Sequence, residues 1–352
     1  MLISADKLTQ TSIAILTGIG SSRDEAQIVA DHMREANLKG HDSHGIGMLV
    51  QYVKQAAEGG LVPNTPARLI NDAGVILQFS GDRGFGQRIG REATDAAIER
   101  TRENGLTLMT IANTAHLGRI GTYGEQATAA GLISISFVNV NSYAPIVAPF
   151  GGSQPRMGTN PVCIAMPGYS PDEPFILDFA TSVVAHGKAR VAYLAGTHFD
   201  EDVVVTPEGV RTSDPTSIFE GDPRGALIAF AKHKGSGLAL AAELLAGLLS
   251  SGGTLQPGNP REGFIVNNMT SILIDPARLG STEWMHHEYQ AMIDYLRSSH
   301  QADSVNNPVL IAGEPERARR ERRLREGVAI SDGEWQAIRD AGTRVGVDVD
   351  AL

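Results

Sequence analysis

Apolar residues recur at helical spacing near the start of the chain. Ala26, Val29, Met33 and Ala36 follow Ser22-Arg-Asp-Glu25 and stop at Gly40. That opening reads as a capping box, with the Ser22 hydroxyl taking a free backbone amide and Glu25 reaching back. Ile46, Leu49, Val50, Val53 and Ala57 predict a second helix before Gly59-Gly60, leaving Gly40-His-Asp-Ser-His-Gly45 as the junction. From about residue 75 the pattern changes. Short apolar segments, Val75–Phe79, Leu106–Ile111 and Leu132–Val138, alternate with helical stretches after Gly86 and across 121–130. Such alternation implies a sheet with helical crossovers, hence a mixed α/β (α+β) core. Leu238, Leu240, Leu244, Leu245 and Leu248 predict a buried core helix in which Glu243 needs a partner. After residue 282 the chain turns helical again and ends in a charge-dense stretch, Glu314 to Arg325. If the two helical ends pack together, residues 1–74 and 283–352 form one domain that encloses a second, 75–282.

Composition narrows the class. The 352 residues suit two domains at roughly 150 residues each. With 42% apolar residues and 39 glycines in no fixed period, disordered, collagenous and coiled-coil classes are excluded. Cys163 is the single cysteine, so an internal disulfide or a cysteine zinc knuckle is impossible and a reducing, cytoplasmic setting is expected. The net charge of −10 opposes a nucleic-acid partner. The arginines from 317 to 325 interleave with Glu314, Glu316, Glu321 and Glu326, which suits a helix face laced by ion pairs. No signal segment is seen, and Glu243 interrupts the longest apolar run, which falls short of the roughly 20 residues a bilayer requires. Neither export nor a membrane is expected.

A search for a phosphate site begins with G-x-G-x-x-G. Gly84-Phe-Gly86-Gln-Arg-Ile-Gly90 follows a strand and opens a helix, but its third glycine is one position late, so a turn and helix start is the plainer reading. Lys232-His233-Lys234-Gly235-Ser236-Gly237, ahead of the leucine-rich helix, offers free amides and two lysines to an anion, and equally suits a solvated basic turn. His116 stands after a strand, where open α/β sheets place their chemistry, and His41 and His44 share the Gly-flanked junction. For His41, His44 and Asp42 the 41/44 spacing alone does not establish the three converging ligands a metal site needs, and no G-x-S-x-G elbow marks a hydrolase. Asp178-Phe-Ala-Thr-Ser182 puts a carboxylate and two hydroxyls at a strand end, and Gly158-Thr-Asn-Pro161 is a turn in which Asn160 can hold a ligand.

In order and rough spacing, Gly40-His-Asp-Ser-His-Gly45, His116-Leu-Gly-Arg-Ile-Gly121, Gly158-Thr-Asn-Pro161, Asp178-Phe-Ala-Thr-Ser182, His233-Lys-Gly235 and Ala312-Gly-Glu314 resemble the type 2 malate/L-lactate dehydrogenase family. That family groups with sulfolactate, ureidoglycolate and diketogulonate oxidoreductases. The resemblance runs from about residue 5 to 348, and the local strings look most like the hydroxycarboxylate dehydrogenase B branch. It implies a non-Rossmann NAD- or NADP-binding mixed-sheet domain inserted into a mainly helical domain built from both chain ends. It also implies reversible reduction of a 2-oxo acid to a 2-hydroxy acid, with a homodimer as the assembly.

Carried over residue by residue, His44 and His116 are the proton donor or acceptor. The cofactor is expected at His44, Gly118, Arg119, Ile120, Leu177, Asp178, Phe179, Ala180, His233, Lys234, Asn268, Gly313 and Glu314. The substrate is expected at Ser43, Met48, Arg119 and Asn160, with no metal. Many relatives carry an arginine where this chain has Met48, which makes Arg119 the replacement carboxylate anchor. Two alternatives stand beside this reading: a reductase of cyclic 2-imino acids from the same family, and a noncatalytic oligomer that kept the cofactor pocket.

Overall fold

The computed structural model describes residues 1–168, 170, 172–300 and 308–352, so residues 301–307 of the C-terminal segment lie outside the described residues. The chain begins β1 (Leu2–Ile3), α1 (Ala5–Gly18), α2 (Arg23–Lys39), α3 (Leu49–Ala57), β2 (Arg68–Ala73), β3 (Ile76–Ser80), α4 (Gly86–Asn104) and β4 (Leu106–Thr114). It continues α5 (Gly121–Ala129), β5 (Ile133–Asn141), β6 (Val147–Ala148), β7 (Val162–Met166), β8 (Phe175–Phe179), α6 (His186–Ala195), β9 (Val204–Val205) and β10 (Arg211–Thr212). It ends α7 (Thr216–Phe219), β11 (Ala226–Ile228), α8 (His233–Leu249), β12 (Val266–Ile274), α9 (Thr282–Arg297), α10 (Glu314–Glu326), β13 (Val328–Ala329) and α11 (Asp332–Arg344).

The two chain ends share a core. β1 pairs antiparallel with β13, and Leu16, Val29, Met33 and Leu49 pack in one apolar cluster with Trp335 and Ile338. Helix α2 is placed by its sequence as expected at both ends. The Ser22 hydroxyl accepts from Glu25 N–H and Gly40, at φ 85, closes the C-terminus. The reciprocal half of the capping box is absent. Asn64 Oδ1 accepts from Ser22 N–H, while the Glu25 carboxylate turns inward to Ser21 Oγ, Asn64 N and Arg88. A buried carboxylate needs several donors, and one backbone amide does not supply them.

The larger sheet has the order β2-β3-β4-β12-β5-β7-β8, and only β3 and β4 run parallel. Helices α4 and α5 cover one face and α8 the other. Three strands of this sheet, β2, β7 and β12, were not expected. β2, before the boundary anticipated at residue 74, is an exposed edge strand whose sequence shows no alternation. β12 lies at the centre with Asn267, Asn268, Thr270 and Ser271 buried, so it does not read as an apolar run. A second sheet, β10-β9-β11-β6, packs with α6 and α7 around Val147, Val204, Ile218 and Leu227.

Helix α8 overturns the expectation of a leucine core. Ala239, Ala242, Glu243, Ala246 and Gly247 face the sheet, while Leu240, Leu244 and Leu248 are 51%, 41% and 61% exposed. Small side chains let the helix approach the sheet closely, so Leu240, Leu244 and Leu248 take the outer face while Leu238 and Leu245 are half-buried. Among the described residues no helix is long and apolar enough to cross a membrane.

Candidate active site

Helix α2 ends at Gly40, and the chain makes two tight 3-10 turns, Asp42–His44 and Ile46–Met48, before α3 begins. Asn37 ties the junction: its amide donates to Asp42 at 2.8 Å, and its carbonyl accepts from Ile46 N–H at 2.8 Å. Arg323 from α10 grips the Asp42 carboxylate with two nitrogens, at 2.7 and 3.0 Å. His44 therefore projects from a turn pinned by both chain ends.

His116 approaches from the other side, on the loop after β4. Leu117 N–H donates to Asn267 at 2.9 Å, and Arg119 N–H donates to His32 Nε2 at 2.8 Å. Gly118, at φ +74, lies so close to His32 that a Cβ would sit 2.4 Å from its Nε2. Gly86 belongs to the same contact: a Cβ there would sit 2.4 Å from the His116 carbonyl oxygen. The late glycine motif thus brings the start of α4 against the loop that carries His116.

These constraints bring the two predicted histidines together, with His44 Nδ1 and His116 Nε2 3.1 Å apart. A third contact extends the line. Tyr52 Oη of α3 lies 2.8 Å from His116 Nδ1, and Gln87 Nε2 of α4 donates to Tyr52 Oη at 2.5 Å. Burial lowers His44 to about 3, with His41 and Arg119 adding positive charge, and it lowers His116 well below the usual 6.5, helped by His44 and His32. His32 is also lowered to about 3, chiefly by burial. All three rings are neutral at pH 7, so the pair can act as donor and acceptor without a resident charge.

The other expected residues fall into distinct places. Ser43 and Met48 bracket His44 on the paired turns, with Ser43 in the turn that α6 packs against. Leu177 to Phe179 end β8, and Asp178 Oδ2 accepts from Gly121 N–H at 2.7 Å, capping α5 beside Gly118 and Ile120. Ala180 follows the strand. From there Thr181 accepts from Phe230 N–H at 3.1 Å, and the Phe179 and Phe230 rings meet edge to face at 5.6 Å, leading to the start of α8. Gly313 and Glu314 open α10 beside β8, where Ile176 N–H donates to Ala312 O at 3.2 Å and Glu314 accepts from Ile311 N–H at 2.8 Å.

Three expectations meet different surroundings. Arg119 is not a free anchor: its side chain is 1% exposed, pairs with Glu125 at 2.8 Å and lies 3.7 Å from Asp178. Asn160 and Asn268 are interior. The Asn160 amide donates to Glu243 at 2.8 Å and to Ala239 O at 3.0 Å, while Asn268 is engaged by Asn139, Gly253 and Asn113 N–H. Glu243, which also accepts from Asn139 and Leu255 N–H, thereby finds the partners its sequence demanded. Among the described residues no cluster of three His, Cys, Asp or Glu side chains forms a metal site.

The start of α8 carries a different chemistry. Ala231 and Lys232 both have positive φ, 46 and 58, and no side chain caps the helix. His233 meets Phe150 edge on at 5.9 Å, and beside them lies a cavity of about 350 Å³ lined by Phe150, Gly151, Gly152, Arg211 and Lys232.

Tyr52, Gln87 and His32 were missed by sequence reasoning. Tyr52 falls three positions after Leu49 on an apolar helix face and reads as core, and Gln87 sits inside the late glycine motif. His32 lies on the patterned face of α2, where a histidine reads as a satisfied core group.

Residues 3–339 match the family model described as malate/L-lactate dehydrogenase. The chain is 39% identical over 341 residues to hydroxycarboxylate dehydrogenase B of Escherichia coli O157:H7, covering 96% of this chain and 93% of the relative. It is 41% identical over 321 residues to an L-lactate dehydrogenase of Cupriavidus necator, covering 91% of each. Among solved structures it is similar to the sulfolactate dehydrogenase of Methanocaldococcus jannaschii, with a TM-score of 0.85 and 28% identity over 100% of this chain and 99% of that one.

Proposed function

The chain belongs to the malate/L-lactate dehydrogenase family, and from that premise we propose that it reversibly reduces a 2-oxo acid to a 2-hydroxy acid with NAD(H) or NADP(H). The observation that carries this is the 3.1 Å contact between His44 and His116. Residues at the start of α8 fit the cofactor's diphosphate: an uncapped helix N-terminus and Lys234, beside a cavity with Arg211 and Lys232. Neither Arg211 nor Lys232 pairs with an acid among the described residues, which favours the extra phosphate of NADP(H). Gly118 to Ile120, Leu177 to Ala180 and Gly313-Glu314 are read as further cofactor contacts. The arrangement is read as a non-Rossmann binding domain, on the sheet order above, inserted between chain ends that share one core.

The bound nicotinamide supplies the hydride. The histidine pair holds the proton that the carbonyl oxygen gains in reduction and takes it back in oxidation. Both rings are neutral alone, so the negative charge of a 2-oxo acid favours taking up that proton when substrate binds. Ser43 and Met48 shape the substrate side of His44. Arg119, held by Glu125 and Asp178, contributes positive potential from behind rather than a direct carboxylate contact.

His44→Ala and His116→Ala are each expected to lower kcat by about 10²–10⁴, with cofactor affinity little changed. Unchanged turnover removes the residue concerned. Following nicotinamide absorbance with 2-oxo acids, with and without an amine, separates this reading from imine reduction. Cofactor binding with no turnover on any of them identifies a noncatalytic module. The outward leucines of α8 support a homodimer.

A further inference from the structure

Gln87, Tyr52, His116 and His44 form one line of contacts: Gln87 Nε2 to Tyr52 Oη at 2.5 Å, Tyr52 Oη to His116 Nδ1 at 2.8 Å, and His116 Nε2 to His44 Nδ1 at 3.1 Å. A line of this kind has a direction, because each hydroxyl or neutral imidazole has one proton to give. The Gln87 amide sets that direction. Its Nε2 donates to Tyr52, and its Oε1 is buried without a partner. Turning the amide round would leave both N–H groups unpaired instead, and buried orphan donors are rarer than under-satisfied carbonyls. With its oxygen accepting from Gln87, the Tyr52 O–H is directed to His116 Nδ1.

We propose that Tyr52, oriented by Gln87, is a positioning residue that keeps the His116 proton on Nε2. His116 then donates to His44 Nδ1, and His44 Nε2–H becomes the end of the chain, the proton presented to substrate. His116 acts as the relay behind it: as His44 gives its Nε2 proton to the carbonyl oxygen it takes the His116 Nε2 proton at Nδ1, and the proton that the pair gains on substrate binding leaves both rings neutral afterwards. The inference rests on the oxidoreductase reading of the histidine pair. Phe85 supports the geometry, meeting the Tyr52 ring edge on at 5.5 Å. Neither Tyr52 nor Gln87 has an acidic partner among its hydrogen bonds, so no carboxylate competes for the tyrosine proton.

The test is the tautomer itself. In holoenzyme labelled with ¹⁵N in the histidine rings, with His116 assigned by loss of its signals in His116→Asn, the expected pattern is a protonated Nε2 and an unprotonated Nδ1. The opposite pattern in the wild-type protein overturns the proposal without any variant. In Tyr52→Phe the His116 signals should move toward a mixture of tautomers. Its kcat should fall about 10- to 100-fold, with KM for the 2-oxo acid and cofactor Kd within about twofold. A change confined to KM or to thermal stability would mean a structural role and overturn it. Gln87→Glu, whose carboxylate captures the tyrosine proton, should lose more activity than Gln87→Leu; the reverse order overturns the assigned direction. If the wild-type enzyme reduces no 2-oxo acid, the substrate reading fails, and the ring signals still decide the tautomer.

Discussion

Helices α2 and α8 are both 17 residues long and lie on opposite sides of the pattern argument. α2 carries few large apolar residues, yet Val29, Met33 and Leu38 are fully buried and three of its polar side chains, Glu25, His32 and Asn37, are buried with partners. α8 is rich in leucine, yet it buries alanines, Gly247 and Glu243 and leaves leucines outside. The difference lies in what each helix faces. α2 packs against α1, α4 and α10, and its large side chains join the apolar cluster with Leu16, Leu49 and Ile338. α8 lies against the polar centre of the sheet, where the Asn139 and Asn160 amides donate to the Glu243 carboxylate and Asn268 donates to Asn139. Hydrophobic content alone therefore does not tell which face of a helix is buried.

The largest test of this contrast is Glu243→Leu, which on hydrophobicity should improve α8. It removes the acceptor of three buried hydrogen bonds, from the Asn139 and Asn160 amides and from Leu255 N–H, so a loss of about 3–5 kcal/mol is expected. Met33→Ala, on the buried face of α2, should cost about 3 kcal/mol by opening a cavity. Urea unfolding compares the two. A stable Glu243→Leu protein would show that the polar network is dispensable and that the contrast between the helices is superficial.

Next in size is a pH effect seated on α2. His32 is 6% exposed, lowered to about 3 by burial, and uses Nε2 to accept from Arg119 N–H. Its folded pKa lies below the unfolded value near 6.5, so the unfolded chain binds the proton first as pH falls. The stabilisation is complete above pH 6.5 and is lost progressively toward pH 3, by about 2 kcal/mol at pH 5 for this one residue. Thermal melts at pH 7 and pH 5 should show a smaller drop in His32→Gln than in the wild-type protein. An equal drop would place the proton uptake elsewhere.

Much of the α2 side of this contrast was legible in advance and much of the polar sheet centre under α8 was not. Ser22 and Gly40 announced both ends of α2, and the alternation after residue 75 announced β3, α4, β4, α5 and β5. Local signals sufficed there because each segment buries an apolar stripe of its own. β12 escaped notice because a strand at the centre of this sheet carries Asn267, Asn268, Thr270 and Ser271, whose partners are distant in sequence. Likewise His44 and His116 stood out as chemistry-bearing residues, while Tyr52 and Gln87 did not, since only the packing of α3 on α4's first turn aligns them. Arg119 shows the converse: its charge was visible, and the acids that occupy it, Glu125 and Asp178, became its partners only in three dimensions.

The helix starts sharpen the comparison further. α2 is closed by Ser22, whereas α8 begins at Lys232 with φ 58 and ψ −127 and no side-chain cap. A lysine in that conformation stores of order 1–3 kcal/mol of strain, which glycine relieves. Lys232→Gly should therefore raise stability by about 1 kcal/mol and weaken cofactor binding, most for NADP(H). Calorimetric titration with both cofactors, beside a melt, reads the two effects. A variant that is less stable, or that binds as well as before, would show that the strained turn is not kept for the anion.

The smallest effect on the fold is expected where the leucines of α8 face outward. Leu244→Lys changes a side chain that is 41% exposed and opposite the packed face of the helix, so unfolding of the isolated chain should shift by no more than about 0.5 kcal/mol. Association should respond far more, because a lysine ammonium buried against its own copy in a two-fold interface meets a like charge and loses its water. Sedimentation of the wild-type protein as a dimer and of Leu244→Lys as a folded monomer would give the outer face of α8 its reason. A variant that stays dimeric would move the interface elsewhere. α9, which exposes Trp284, Met292 and Tyr295, is the next surface to substitute, and the leucines of α8 would then stand as exposed side chains that close packing against the sheet excluded.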